Sequence, residues 1–189
     1  MEPLNQVLFK REDIQRATTR MAHEILESEN DQTGLLLVGI ETRGAQLVRR
    51  IAEKIGSFSG TVPPVETIDI TLFRDDQEGR IDADAVSAPF SISVDDKTLV
   101  LVDDVIYTGR TIRAALDLVF QLGKPKKILV AVLVDRGDRE LPIKADIVGK
   151  NVQVSGAARV NVLLSELDGV DQVTVSGERD RNLRVKIGR

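Results

Sequence analysis

An α/β fold built on a central, mainly parallel sheet flanked by helices is predicted from three observations. First, the runs Leu35–Ile40, Leu99–Val102 and Ile128–Val134 are continuously apolar and rich in branched side chains. A run without alternation fits a strand buried on both faces, as in a parallel sheet. Second, apolar residues at helical spacing lie between these runs, the rhythm that yields βαβ units. Third, short polar motifs, Glu41–Gly44, Asp103–Thr111 and Asp135–Gly137, follow the three runs. Ligands of such sheets sit at the carboxyl ends of strands, so one pocket can use all three motifs.

Taken in order, residues 12–27 have helical periodicity. At about 100° per residue, Ile14, Ala17, Thr18, Met21 and Ile25 share one side, and Arg16, Thr19, Arg20, His23 and Glu27 the other. Leu35–Ile40 is a buried strand. Residues 45–55 form a helix with Leu47, Val48, Ile51, Ala52 and Ile55 inward. Val65–Phe73 alternates, with Ile68, Ile70 and Leu72 on one face. Residues 74–96 are polar and rich in aspartate. So long a stretch without periodicity is usually functional or disordered. Leu99–Val102 is the next buried strand, ending where Asp103 and Asp104 begin. A helix follows, with Thr111 as N-cap and Ile112, Ala115, Leu116, Val119 and Phe120 as its apolar stripe. Ile128–Val134 and Ala145–Val148 are further strands. Val173–Val175 and Leu183–Ile187 alternate around a turn-like segment, which predicts an edge hairpin.

Composition narrows the chemistry. The chain has 189 residues, 42% hydrophobic and 30% charged, which suits a single domain over residues 1–189 with a full core. It has no Cys and one His. That nearly excludes thiolate metal sites, His-based metal sites and Cys–His or Ser–His nucleophilic machinery. No apolar stretch reaches membrane-span length, and the first residues lack the basic start and apolar core of a signal peptide. A cytoplasmic protein that does not engage membranes is the expectation. The net charge of −4 means that any nucleic-acid binding needs a local basic patch.

The run TLVLVDDVIYTGRT, residues 98–111, carries the sharpest signal. Strand, acid pair, small hydroxyl-and-glycine loop and helix, in this order, build a site for a phosphorylated sugar. Loop amides and the positive end of the helix hold the phosphate, and Gly109 lets the backbone approach it. The carboxylates of Asp103 and Asp104 accept hydrogen bonds from vicinal sugar hydroxyls.

This run resembles the PRPP (phosphoribosyl pyrophosphate) motif of the type I phosphoribosyltransferases. LVGIETRG at 37–44, IDITLFRDD at 68–76, LVDRG at 133–137, REL-P-I at 139–143 and GKN at 149–151 are similar to the PyrR family, bifunctional uracil phosphoribosyltransferases and pyrimidine-operon attenuators. The similarity runs from about Arg16 to about Asn151. It implies a type I phosphoribosyltransferase fold with a small hood from N- and C-terminal segments and a mobile lid at about 74–91. It implies UMP and pyrophosphate formed from uracil and PRPP. Arg43, Asp103 and Asp104 are the catalytic candidates. Thr42, Arg43 and Gly44 are assigned to pyrophosphate, and Arg136 to PRPP or the product phosphate. Val105, Ile106, Tyr107, Thr108, Gly109, Arg110 and Thr111 complete the phosphate loop, Tyr107 without a chemical role. Arg74, Asp75 and Asp76 open the lid. Mg²⁺ is expected to arrive with PRPP near Asp103, not in a protein cage. Uracil rests on the resemblance alone, since transferases for other bases share the PRPP motif.

The same resemblance implies a regulator that binds a leader-RNA hairpin when UMP is bound. Arg16, Thr19, Arg20 and His23 fit such a face, with Arg139, Lys144 and Lys150 extending it. The chain departs from the family pattern at Asp138, where a basic residue or His is common, and at Lys144, where Arg is common. Residues 135–150 hold four basic and four acidic residues and are charge-neutral. The resemblance also implies at least a homodimer.

Overall fold

The computed structural model describes residues 3–29, 32–70, 90–154, 158–178 and 184–188. The predicted α/β class is observed. Strand β1 (Pro3–Lys10) leads into helix α1 (Arg11–Ser28), and a short 3₁₀ turn precedes β2 (Leu35–Ile40). Helix α2 (Arg43–Ser59), β3 (Val65–Ile68), β4 (Thr98–Ile106), α3 (Arg110–Leu122), β5 (Lys127–Asp135) and β6 (Ile147–Val154) follow. The last elements are β7 (Arg159–Leu163), the single turn α4 (Ser165–Asp168), β8 (Gln172–Glu178) and β9 (Val185–Ile187).

The main sheet has the order β3-β2-β4-β5-β6-β9. Its pairings from β3 to β6 are parallel, and β9 is antiparallel to β6. Both faces are covered, which is why its strands read as unbroken apolar runs. Leu35, Leu37, Val100, Val102 and Leu133 pack with residues of α1 and α2. Leu36, Val38, Leu99, Leu101 and Val132 pack with α3. The α2 and α3 crossovers therefore leave adjacent strands β2 and β4 toward opposite faces. The carboxyl ends of β2 and β4 bound the crevice that this divergence opens.

Several elements differ from the sequence reading. Strand β4 runs four residues past Val102 and carries both Asp103 and Asp104, because Asp103, Val105 and Ile106 keep pairing with β5. The N-cap of α3 is Gly109, not Thr111. Its buried stripe is Ile112, Ala114, Ala115, Leu118 and Val119. Phe120 is 62% exposed, so the true stripe is rotated toward Ala114 and Leu118. The predicted C-terminal hairpin does not form. Strand β8 pairs with β1 and β7, and β9 pairs with β6. Alternation marked both segments as extended but could not name their partners, which lie far away in sequence. The lid residues Arg74, Asp75 and Asp76, and Leu72 before them, lie outside the described residues.

The second sheet, β1-β8-β7, is antiparallel and joins the two ends of the chain. It is fastened to α2 by ions. Arg50 Nε donates to Glu166 Oε1 at 2.7 Å, and Arg50 Nη2 to Asp171 Oδ1 at 2.7 Å and Ser165 Oγ at 3.0 Å. The Ser165 N–H donates to the same Asp171 oxygen at 2.8 Å. Burial pushes the Asp171 carboxyl up, but Arg50 and the Ser165 amide outweigh it and hold the pKa down at about 2. A depressed carboxyl stabilises the fold above its ordinary pKa of 3.8, and that contribution fades as pH falls toward about 2. Asp171→Asn should therefore lower stability by about 2 kcal/mol at neutral pH. The gap to the parent protein should close on acidification, as read by urea unfolding at stepped pH. A gap independent of pH would contradict the ionic anchor.

Candidate active site

The crevice is built first by glycine. A Cβ on Gly44 would lie 2.5 Å from the Val102 carbonyl oxygen and 3.3 Å from the Asp103 Cα. Only glycine lets the first turn of α2 rest directly on β4 where the acid pair begins. The peptide between Glu41 and Thr42 in this loop is cis. Arg43, the first residue of α2, donates from Nη2 to Asp168 Oδ1 at 2.9 Å. Its Nε is buried and has no acceptor among the described residues.

The acid pair stands on β4 itself. Asp103 is 5% exposed, and its Oδ1 accepts the Asp104 N–H at 2.8 Å. Asp104 is half-buried. Consecutive strand residues face opposite ways, so the two carboxylates are not equivalent. Tyr107, Thr108 and Gly109 then turn the chain into α3. Gly109 has φ +94°, and a Cβ there would touch Leu141 Cβ at 3.4 Å and Ile143 Cβ at 3.5 Å. A left-handed cap followed by a helix leaves first-turn N–H groups directed outward, an arrangement that holds a phosphate. Thr108 Oγ1 receives one long contact, 3.4 Å, from the Arg110 N–H.

The segment after β5 braces this loop. The N–H groups of Glu140 and Leu141 donate to the Thr108 carbonyl at 3.0 and 3.1 Å. Arg139 spends its guanidinium inside the protein. It reaches the Tyr107 carbonyl at 2.8 Å, the Gly137 carbonyl at 3.1 Å, the Ile143 carbonyl at 3.0 Å and Asp135 Oδ2 at 2.6 Å. Arg110 Nε donates to Glu140 Oε2 at 2.9 Å. Arg136 is 6% exposed, and its guanidinium carbon lies 3.8 Å from the centre of the Tyr107 ring. Tyr107 thus forms one wall for Arg136. A cavity of about 460 Å³ opens beside it, lined by Arg136, Gly137, Asp138, Gln153, Val154, Arg184 and Lys186. The bracing of the loop by Arg139, Glu140 and Leu141 had no periodicity to betray it. Its only signal was the REL-P-I pattern itself.

The structure brings Thr42–Gly44, Asp103–Thr111 and Arg136 to one end of the sheet. Four of the basic-face candidates also come together. Arg16, Thr19, Arg20 and His23 line a surface groove of about 800 Å³ with Glu12, Gln15 and Lys54. Lys54 of α2 was invisible to sequence reasoning. Its Nζ donates to Thr19 Oγ1 at 2.9 Å. His23 stacks on Phe58 with ring centroids 4.0 Å apart. Arg20 donates to the Val148 and Gly149 carbonyls at 2.9 and 2.6 Å, so it also ties α1 to β6. Lys150 lies over the Phe9 ring at 5.0 Å, and Lys144 is exposed. Neither lines the groove, and Arg139 is turned inward. Among the described residues, no group of three or more His, Asp or Glu side chains is placed to hold a metal ion. No described helix is long and apolar enough to cross a membrane.

Comparison with known proteins agrees with this geometry. The phosphoribosyl transferase domain family matches residues 8–163. A relative from Clostridioides difficile, named bifunctional protein PyrR, is 51% identical over 170 residues, covering 89% of this chain and 96% of the relative. A protein of the same name from Chloroflexus aurantiacus is 51% identical over 169 residues, covering 89% and 93%. Among solved structures, the hypoxanthine phosphoribosyltransferase of Trypanosoma cruzi superposes with a TM-score of 0.69 at 18% identity, covering 90% of this chain and 95% of that one. That likeness shows the type I phosphoribosyltransferase fold. The chain belongs to the phosphoribosyl transferase family and, within it, to the PyrR family.

Proposed function

We propose that this protein makes UMP and pyrophosphate from uracil and PRPP, and that its UMP-bound form binds a leader-RNA hairpin to regulate pyrimidine genes. The observation that carries the enzymatic reading is the left-handed Gly109 cap of α3, beside the acid pair on β4, in a chain half identical to PyrR proteins.

In this reading the PRPP phosphate sits on the first-turn amides of α3, with the Thr108 and Thr111 hydroxyls beside it. Asp103 and Asp104 take the ribose hydroxyls and face the positive charge that grows at the anomeric carbon. The transition state resembles an oxocarbenium ion, so no covalent nucleophile is needed. Arg43 presents a fork of donors to the departing pyrophosphate. Arg136, buried and stacked on Tyr107, meets PRPP or the product phosphate at a fixed place. Asp103 and Asp104 would offer oxygen donors to Mg²⁺ carried on PRPP, which would supply neutralisation of the charge on the leaving pyrophosphate. The small sheet acts as a hood within a single catalytic unit that works in the cytoplasm as at least a dimer.

The groove on α1 supports the second role. It joins Arg16, His23 and Lys54 on a protein whose net charge is −4. Local cationic grooves with a stacked ring suit the unpaired bases of RNA loops.

Three outcomes test this. Incubation with PRPP, Mg²⁺ and a panel of uracil, hypoxanthine, adenine and orotate should give UMP alone. IMP without UMP would move the protein to another base specificity. Gly109→Val should weaken UMP binding by at least tenfold in calorimetry, because φ +94° is a strained conformation for any residue with a Cβ, and most of all for a branched one. Unchanged affinity in a folded variant would remove the phosphate from this loop. For RNA, Arg16→Gln is the cleaner probe, since among the described residues Arg16 pairs with Asp13 of its own helix while Arg20 also holds β6. It should weaken a UMP-dependent gel shift of a pyrimidine-leader hairpin by about tenfold and leave UMP synthesis intact. No shift by the parent protein at any UMP concentration would leave a transferase alone.

A further inference from the structure

The contact between Arg43 and Asp168 joins the catalytic crevice to the small sheet. Asp168 closes α4, the single turn between β7 and β8. Its two oxygens have separate partners. Oδ2 accepts the Leu164 N–H at 2.8 Å, and Oδ1 accepts Arg43 Nη2 at 2.9 Å. The backbone bond fixes the carboxylate's direction before Arg43 arrives. The turn that carries it is itself fixed. Arg50 lies seven residues after Arg43, two turns along the same face of α2, and grips Glu166, Ser165 and Asp171 around Asp168. A guanidinium on a long flexible stem is thereby held by a carboxylate that cannot wander.

We propose that Asp168 is a positioning residue for Arg43, holding one edge of the guanidinium so that its remaining donors are aimed at the pyrophosphate of PRPP. The proposal rests on the assignment of Arg43 to pyrophosphate. The chemistry favours holding over blocking. A guanidinium has five donors, and Asp168 occupies Nη2 alone among them. The Arg43 side chain is 35% exposed, so donors other than the one on Asp168 are left for a ligand. Pre-orientation removes the rotamer entropy that Arg43 would otherwise lose when PRPP binds. It also makes the small sheet a participant in PRPP binding rather than a cover alone.

The test is steady-state kinetics on Asp168→Asn, Asp168→Glu, Arg43→Gln and the double variant Arg43→Gln/Asp168→Asn. In Asp168→Asn, one side-chain oxygen can still accept from Leu164, so the amide NH₂ must face Arg43. The KM for PRPP should rise about tenfold, the scale of one hydrogen bond to a charged group, and the KM for uracil should stay within about twofold. Asp168→Glu should recover part of the loss. With Arg43→Gln already present, Asp168→Asn should add less than about twofold, because its route of action is gone. Thermal melts of each variant separate these effects from loss of α4, which would move both KM values together. A PRPP KM unchanged by Asp168→Asn, or a full effect that persists in the Arg43→Gln background, would overturn the proposal while Arg43 kept its role. If Arg43→Gln itself left the KM for PRPP unchanged, the pyrophosphate assignment would fall, and the proposal with it.

Discussion

Gly44 lies so close to β4 that a single added carbon would come within 2.5 Å of the Val102 carbonyl oxygen. That close approach sets the geometry of everything around it. It brings the start of α2 against the point where β4 changes from apolar residues to Asp103 and Asp104. With α3 leaving β4 on the other face, the helix beginnings and the acid pair converge on one crevice. Two helix N-termini, whose dipoles favour anions, begin there, and Asp103 is buried beside them. Any larger residue at position 44 would push α2 outward and separate Arg43 from the acids.

Around this contact the molecule is held by polar ties as well as by its core. The loop that leads into α3 is tied to the segment after β5. It is kept in place by Arg139, which collects three backbone carbonyls and Asp135, and by the amides of Glu140 and Leu141 on Thr108. The small sheet is kept in place by Arg50 and its acidic partners. A phosphate site made of backbone amides must be rigid to discriminate, and such ties supply rigidity without filling the crevice.

The interior was legible in the sequence because its physics is local. Buried strands such as Leu35–Ile40 are apolar on both faces, and the stripes of α1 and α2 repeat at helical spacing, so each element announces itself. The TLVLVDDVIYTGRT run pointed to the candidate site for the same reason: strand, acids, loop and helix are consecutive. What remained hidden depends on distant pairing. The hairpin expected of Val173–Val175 failed because alternation says that a strand has two faces and nothing of its neighbour. Phe120 looked like core because a helical stripe leaves its edges undetermined. Arg139 looked like part of a basic surface because composition counts charge and cannot see that carbonyls already occupy the guanidinium. Lys54 joins the α1 groove, and Phe58 stacks on His23, only through the packing of α1 on α2.

We read the first turn of α3, capped by Gly109, as a phosphate cradle beside the acid pair of β4. A crystal structure of the protein with UMP tests it most directly. The nucleotide phosphate should lie within about 3 Å of the first-turn amides of α3, with the ribose hydroxyls on Asp103 and Asp104. A phosphate bound elsewhere, with the α3 N-terminus left to water, would contradict it.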